Sequence, residues 1–378
     1  MDAADVTKTL DTLRELEAEE VSLARDEEGE ADPEPQPVTY SGTDFDVEGL
    51  VRRLAREDMV IPTFGASDDT IETAGFQRSF VWRRPQMDRF IESLLLGYPV
   101  PGIILVQQTD RRYLVLDGQQ RLKTLGAFYE GVHDKSVFAL TNVAKEFKGL
   151  TYKTLNEGQR RTLDNTFIQA TIVKTDGTPE SLDSVYQIFE RLNSGGTQLT
   201  PHEIRVALYA GTFIEYLTAL NELPSWRALY GPPSPRLRDQ EIILRFIALY
   251  TSPGEYKRPL KKYLNDFTAR HRKLNYLTPG LIQLRFDRAA SLLKDSVGRS
   301  ALRNRGGAVN AALTEALLVG LSRRLDSGSE PSVRGVAEGV RVALADPMLD
   351  AAISRATADE ESVRTRLGIT TRAFSSIT

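Results

Sequence analysis

The sequence contains no cysteine, which excludes disulfide bridges, thiolate metal sites, iron–sulfur clusters and cysteine nucleophiles. Histidine is almost as scarce, since only His133, His202 and His271 occur, and this argues against a His-rich metal site. No apolar run reaches the roughly 18–20 residues needed to span a bilayer, and the acidic N-terminus lacks the apolar stretch of a signal peptide. These absences predict a soluble, cytoplasmic protein with no membrane partner.

Charge is distributed unevenly along the 378 residues. Residues 1–50 carry 3 basic and 16 acidic side chains, whereas residues 51–378 carry 45 basic and 36 acidic ones. The acidic stretch has almost no apolar residue to bury, so we expect residues 1–44 to form a largely disordered segment. The basic excess of the remainder favours a phosphate-bearing partner, either nucleic acid or a nucleotide. An equally simple interpretation is that a mild excess over so long a chain has no function.

Hydrophobic periodicity divides the rest of the chain into two regions. Residues 45–210 combine helix-spaced apolar positions with two strand-like runs, at 102–106 and 112–116, followed by a helix from Gln119. Residues 211–378 have helical periodicity throughout. We therefore predict an α+β fold, in which an N-terminal domain with a small sheet precedes an all-helical C-terminal domain.

The most informative stretch runs from Asp117 to Arg121, at the junction of a predicted strand and a predicted helix. Free N–H groups at a helix start bind anions, Gly118 allows close approach of a phosphate, and Arg121 adds a cationic contact. Asp117 beside a phosphate would need a metal ion, and Mg²⁺ is the expected one. Gln119 and Gln120 could donate to phosphate oxygens or orient a water molecule. The structural alternative is that Asp117 and Gln120 form a capping box.

Arginines alternate with aromatic rings between Phe76 and Arg84, a combination that suits nucleobases and phosphates. The alternative is that Phe80 and Trp82 belong to the hydrophobic core and the arginines are solvated.

Two further stretches have both a functional and a structural interpretation. Asn193 and the glycines that follow it could line a ligand pocket, or they could simply connect two helices, the second of which starts with a capping box at 200–203. On the structural interpretation, His202 is an exposed residue of the first helical turn. Glu241 and Arg245 have the spacing of a pair on a helix surface.

Together and in this order, these stretches resemble the N-terminal domain of unknown function of GmrSD-type restriction proteins, which are modification-dependent (type IV). The matching positions are Gln77-Arg78, Val81-Trp82, the run from Leu116 to Leu122, Phe189, Leu192-Asn193, Gly196, Leu199-Thr200 and Glu203. The resemblance covers about 60–275 and implies a ParB/sulfiredoxin-like fold. The Asp-Gly-Gln-Gln-Arg motif of the family falls on residues 117–121 of this chain.

The resemblance implies a nucleotide-binding, NTP-hydrolysing subunit of a bacterial anti-phage or modification-dependent DNA restriction system. Its implied catalytic residues are Asp117, Gln119, Gln120 and Arg121, with Asp117 also a ligand of Mg²⁺. Its implied nucleotide-binding residues are Gln77, Arg78, Gly118 and Asn193. The expected partners are an NTP, DNA that includes modified DNA, a separate nuclease subunit and a second copy of the chain.

Two other functions remain open. The chain could be a non-hydrolysing DNA-recognition module that recruits a separate nuclease, with the acidic N-terminal segment occupying the basic surface as a DNA mimic. A nuclease within the ParB-like fold ranks last, because the sequence offers no clear cluster of acids. Many members of the family also carry a His-Asn-His-type nuclease domain, but residues 276–378 contain no histidine. We therefore do not expect DNA cleavage by that chemistry from this chain alone.

Overall fold

The computed structural model of the chain describes residues 38–61, 82–192, 200–303, 307–328 and 330–378. These residues form two compact units, the first ending at Leu208 and the second running from Tyr209 to Thr378. The strands of the first unit are β1 (Tyr40–Asp46), β2 (Met59–Val60), β3 (Ile103–Gln107), β4 (Tyr113–Asp117), β5 (Val132–His133), β6 (Ser136–Val137) and β7 (Phe167–Lys174). Its helices are α1 (Val47–Ala55), α2 (Arg84–Leu95), α3 (Gln119–Glu130), α4 (Glu157–Asp164), α5 (Pro179–Leu192) and α6 (Pro201–Leu208), with a 3-10 turn at Tyr152–Thr154.

The main sheet of the first unit has the strand order β1-β7-β3-β4-β2. β7 pairs antiparallel with β1 and parallel with β3, β3 pairs antiparallel with β4, and β2 pairs parallel with β4. β5 and β6 form a separate two-stranded ribbon. A small mixed sheet with helices therefore confirms the α+β class predicted for this part of the chain.

The folded part begins earlier than the sequence predicted. β1 pairs with β7 from Tyr40, opposite Val173, to Asp46, opposite Phe167. Residues 40–44 are therefore a strand, and their assignment to a disordered segment was wrong. The reason is that β1 is an edge strand, so its side chains are mostly exposed and lack the apolar alternation that signals a half-buried strand. Residues 1–37 of the predicted acidic segment lie outside the described residues.

The core of the first unit lies between the sheet and the helices α1 to α4. Its fully buried members include Leu50, Ile91, Leu105, Val115 and Leu125. Full burial of each such side chain contributes about 1.5–3 kcal/mol. Because β4 and α3 both supply residues to this core, the turn between them is anchored on both sides.

The second unit is helical, as its periodicity predicted. Its helices are α7 (Thr212–Asn221), α8 (Pro224–Tyr230), α9 (Arg238–Thr251), α10 (Leu260–Arg270), α11 (Pro279–Ser296), α12 (Ala311–Asp326), α13 (Val333–Leu344), α14 (Pro347–Ser354) and α15 (Glu360–Ser375). Short 3-10 segments lie at Pro253–Glu255 and Gly298–Leu302. Among the described helices of the whole chain, none is both long enough and apolar enough to cross a membrane.

Helix α9 corrects one prediction about surface charge. Every residue from Arg238 to Leu249 is buried, so only the last two residues of this helix, Tyr250 and Thr251, reach solvent. Glu241 Oε1 accepts hydrogen bonds from Arg245 Nε at 3.1 Å and Nη2 at 2.8 Å, with 6% and 1% of the two side chains exposed. The interpretation of Glu241 and Arg245 as a surface pair was therefore wrong, because the same i, i+4 spacing here joins two buried charges.

Candidate functional site

The junction between β4 and α3 is a sharp turn at Gly118. This residue has φ +95°, in the left-handed region, and it is the N-cap of α3. A Cβ atom added to Gly118 would lie 2.4 Å from Ile103 Cγ2, so packing as well as backbone conformation requires glycine here. The capping-box interpretation was wrong, because the N-cap is Gly118 rather than Asp117 and no side chain caps the helix.

The first turn of α3 presents backbone N–H groups that the helix itself does not use. Its first backbone bond runs from Leu122 N to Gly118 O, at 3.0 Å. The N–H groups of Gln119, Gln120 and Arg121 precede that bond and lie at the positive end of the helix dipole. An uncapped helix start of this kind can bind an anion such as phosphate.

Arg121 lies beside this turn and contacts both a carboxylate and a backbone carbonyl. Its Nη2 donates to Asp117 Oδ2 and to Gly102 O, each at 2.9 Å. The Asp117 side chain is 53% exposed and the Arg121 side chain 14% exposed. The carboxylate therefore faces solvent, while the mostly buried guanidinium is fixed by its bond to Gly102 O. Arg121 Nε is buried and finds no acceptor in the described part of the chain. A buried donor without a partner costs about 1–3 kcal/mol, and an incoming acceptor would relieve this penalty.

The two glutamines of the turn have different surroundings. Gln120 Oε1 accepts a hydrogen bond from Trp82 N, at 3.1 Å, and so fixes the chain just before α2. Gln119 is half-buried, and its side chain makes no hydrogen bond to the described residues. Gln119 is therefore the glutamine whose amide remains available to a ligand, whereas Gln120 has one side-chain atom already engaged.

The arginine-rich stretch before α2 contributes to the core where the structure describes it. Trp82 is half-buried and packs edge-to-face against Phe90, with ring centroids 5.3 Å apart. Arg84 donates to Asp88 Oδ1 at 2.8 Å and to Ala139 O at 2.6 Å, and its guanidinium lies 3.9 Å from the Phe138 ring centroid. The structural interpretation is confirmed for Trp82, and Arg84 likewise stabilises the fold.

Asp88 is a fully buried carboxylate that the sequence analysis missed. Burial raises its pKa, but hydrogen bonds from Arg84, Asn142 and Thr141 outweigh burial, so the pKa of Asp88 lies below its ordinary value. Its position in α2, between the buried residues Met87 and Phe90, gave no signal that a charge would be buried there.

The start of helix α6 confirms one prediction, the capping box, and contradicts another, the exposure of His202. Thr200 N donates to Glu203 Oε2 at 2.7 Å and Glu203 N to Thr200 Oγ1 at 3.1 Å, which confirms the capping box. His202 was predicted to be exposed, and this was wrong, because it is fully buried with Nδ1 3.3 Å from Arg205 Nη1. The remaining predicted ligand-binding residues, Gln77, Arg78 and Asn193, lie outside the described residues.

The structure thus brings the five residues of the turn together with one partner that the sequence analysis did not select. That partner is Gly102, whose carbonyl holds Arg121. A Cβ atom at Gly102 would lie 2.7 Å from Gln169 O, so a glycine as the first residue of a predicted strand was the available signal of close backbone approach.

Comparison with known proteins bears directly on this turn. Residues 62–210 match the family model of the GmrSD restriction endonuclease, N-terminal domain. This range contains β3, β4 and α3, whereas β1 and α1 precede it. No curated protein matches the chain. The ParB-like fold and the role of the Asp-Gly-Gln-Gln-Arg motif stay predictions. The family resemblance is confirmed over residues 62–210, a shorter range than the predicted 60–275, and this range is similar to the N-terminal domain of the GmrSD restriction endonuclease.

Proposed function

We propose that the chain is a nucleotide-binding, NTP-hydrolysing subunit of a bacterial modification-dependent or anti-phage DNA restriction system. The observation that supports this proposal is the turn at Asp117–Arg121. It combines an uncapped helix start, a buried guanidinium nitrogen without a partner, and an exposed carboxylate. Donors for phosphate and an acceptor for a cation therefore lie within one turn of chain.

The donors of the turn would hold the phosphates of the nucleotide. Backbone N–H groups at Gln119 and Gln120 point away from the helix, and Gly118 has no side chain to block them. Arg121 uses Nη2 for both of its protein contacts. Its other N–H groups would donate to phosphate oxygens as charge increases on them in the transition state.

Asp117 would hold Mg²⁺ that arrives with the nucleotide. Mg²⁺ is commonly bound by one or two carboxylates, with phosphate oxygens and water as its other ligands. Asp117 fits this role as a single, half-exposed carboxylate, and the described residues contain no cluster of three or more acidic or histidine side chains that could hold a resident metal. When bound, Mg²⁺ would neutralise part of the phosphate charge. Gln119, whose amide is not engaged, would orient the attacking water.

The test is hydrolysis of ATP, GTP, CTP and UTP by the full-length protein with Mg²⁺, with and without plain and modified DNA. Arg121→Ala should weaken nucleotide binding roughly 10- to 150-fold, because a hydrogen bond to a charged group contributes about 1.5–3 kcal/mol. Asp117→Asn should lose turnover while binding is partly kept. The matched control is Arg112→Ala, which removes an exposed arginine whose Nε contacts Asp110 at 2.7 Å, and it should change neither property. Unchanged hydrolysis in both site variants would refute the assignment of the turn.

A second candidate function is a DNA-recognition module that recruits a separate nuclease. The excess of basic residues over 51–378 and the match to a restriction endonuclease domain favour it. DNA binding without turnover of any nucleotide would support this candidate over the first. Interaction with a nuclease subunit, or with a second copy of the chain, would then be the next property to measure.

A further inference from the structure

Three arginines lie together at the end of helix α1, Arg52 and Arg53 in its last turn and Arg56 as its C-cap. Arg52 and Arg56 are one helical turn apart and exposed, and Arg53 between them is half-buried. They surround a cavity of about 230 Å³, whose other lining residues are Phe45, Asp46, Gly49 and Asp58. The cavity therefore concentrates three positive charges around a concave surface.

None of the three guanidinium groups forms an ion pair within the described residues. Of the two carboxylates in the lining, Asp46 is the N-cap of α1 and accepts a hydrogen bond from Gly49 N at 2.6 Å. Arg53 lies 5.2 Å from the Phe45 ring centroid, a cation–π contact that orients the side chain without neutralising it. Asp46 and Asp58 both oppose an anion, and the three arginines against these two carboxylates leave the lining with a net charge of +1.

Helix stability accounts for only part of this arrangement. Basic residues in the last turn of a helix are stabilised by its dipole by about 0.3–1 kcal/mol. Like charges one turn apart, such as Arg52 and Arg56, destabilise a helix by about 0.2–0.5 kcal/mol. Neither effect accounts for a cavity beside the charges. The convergence of unpaired arginines on a concave surface is typical of an anion-binding site.

The size of the cavity indicates which anion fits. Small-molecule pockets usually enclose about 300–1,000 Å³, so this cavity is too small for a whole nucleotide and suits a single phosphate group. The two exposed arginines at its rim could reach neighbouring phosphates of the same strand. Guanidinium groups match phosphate oxygens in a forked geometry, and this recognition does not depend on the bases.

The cavity and the Asp117–Arg121 turn share no residue. Phe45 packs edge-to-face against Tyr113, with centroids 6.2 Å apart, and Tyr113 is the first residue of β4 whereas Asp117 is the last. At about 3.3 Å per residue, the Cα atoms of Tyr113 and Asp117 are about 13 Å apart. Moreover, α1 precedes the residues that match the restriction endonuclease domain.

We propose that Arg52, Arg53 and Arg56 form a binding site for the phosphate backbone of DNA, distinct from the nucleotide site. This inference rests on DNA as a partner in the proposed function. It assigns to α1 the sequence-independent part of DNA binding. Recognition of a base or of a modification belongs elsewhere on the chain.

The experiment measures binding of the full-length protein to a short fluorescent duplex by anisotropy over a series of NaCl concentrations. Each arginine that contacts a phosphate contributes about 0.9 to the slope of log affinity against log salt. Arg52→Ala, Arg53→Ala and Arg56→Ala combined should therefore lower the slope by about 2.7. The loss should be equal for plain and modified duplexes, and hydrolysis without DNA should be unchanged.

Two controls separate charge from folding. Replacement of the same three residues by lysine keeps the charges and should keep most of the slope. Arg161→Ala removes an exposed arginine of α4 that pairs with Glu157 at 3.6 Å, and its slope should equal that of the unaltered protein. All variants are compared by circular dichroism and thermal unfolding before binding is measured.

The outcomes distinguish this inference from the proposed function. A folded triple alanine variant with the original slope would overturn the assignment of α1, while DNA remained a partner. If the unaltered protein binds no DNA at low salt, both the α1 site and DNA binding fail. Nucleotide hydrolysis measured without DNA tests the Asp117–Arg121 turn independently of either result.

Discussion

Replacement of Gly118 by alanine tests whether packing sets the turn between β4 and α3. The new Cβ would lie 2.4 Å from Ile103 Cγ2, and the φ of +95° is unfavourable for any L side chain. The left-handed conformation costs about 1–2 kcal/mol and overpacking about 1–3 kcal/mol. We therefore expect Gly118→Ala to lower the free energy of unfolding by about 2–5 kcal/mol, a large share of the roughly 5–15 kcal/mol that a domain has.

Hydrogen–deuterium exchange with mass spectrometry measures this effect locally, because it follows peptides from β4 and α3 separately from the helical unit. Nucleotide binding should weaken in the same variant, since relief of the contact moves the start of α3. The matched control is Gly126→Ala in the same helix, where an added Cβ has no neighbour within 4 Å. This change should stabilise α3 by about 0.5–1 kcal/mol, because alanine is the better helix former.

A double-mutant cycle gives the refuting result. Ile103→Ala removes the methyl group that the new Cβ would meet, and alone it should cost about 2–5 kcal/mol as a buried truncation. In the Gly118→Ala background part of that cost should be recovered, with a coupling energy of about 1–3 kcal/mol. If the two changes are additive, the contact between residues 103 and 118 does not set the turn.

Three further predictions concern charges. The pKa of Asp88 is lower in the folded state than in the unfolded state. Its contribution to the free energy of unfolding is therefore present above about pH 4 and is lost as the pH falls through the folded pKa. In urea unfolding, the stability of Asp88→Asn should fall less at acid pH than the stability of the unaltered protein. Arg245→Met should destabilise the helical unit by about 3–5 kcal/mol in thermal or urea unfolding, because it removes the guanidinium that pairs with the buried Glu241 carboxylate. Combination with Glu241→Leu should recover most of the loss. Deletion of residues 1–37, which leaves β1 intact, should tighten DNA binding at low salt if the acidic segment competes for the basic surface; unchanged affinity would refute that competition.

The local elements of the first unit were predictable because their signals are local. The continuous apolar runs at β3 and β4 have the length of strands, and the turn between them indicates a hairpin. The helical spacing after Gly118 identifies α3. β1 was missed because its stabilising partner, β7, is distant in sequence and its own side chains are mostly exposed. β2 has only two residues, Met59 and Val60, and a strand of this length is too short to show a detectable hydrophobic periodicity.

The candidate site was predictable as a motif but not as a set of contacts. The sequence places Asp117, Gly118 and Arg121 at a strand–helix junction, and the structure places them there. It could not show that Gln120 binds Trp82 N, because that contact joins residues far apart in sequence. Nor could spacing alone distinguish a surface pair from a buried one in α9.

The pairing of β7 has a consequence for biosynthesis. β7 bonds to β1 and to β3, so Tyr40 must meet Val173 and Ile103 must meet Ala170 before the sheet is complete. Such high contact order slows folding, whereas the helical unit depends on contacts nearer in sequence. While the chain emerges from the ribosome, the backbone edge of β3 that pairs with β7 stays unpaired until β7 has been synthesised. Unpaired strand edges of this kind are prone to aggregate, and chaperones protect them. The shape of the Asp117–Arg121 turn therefore depends on the arrival of a strand that contains none of the proposed site residues.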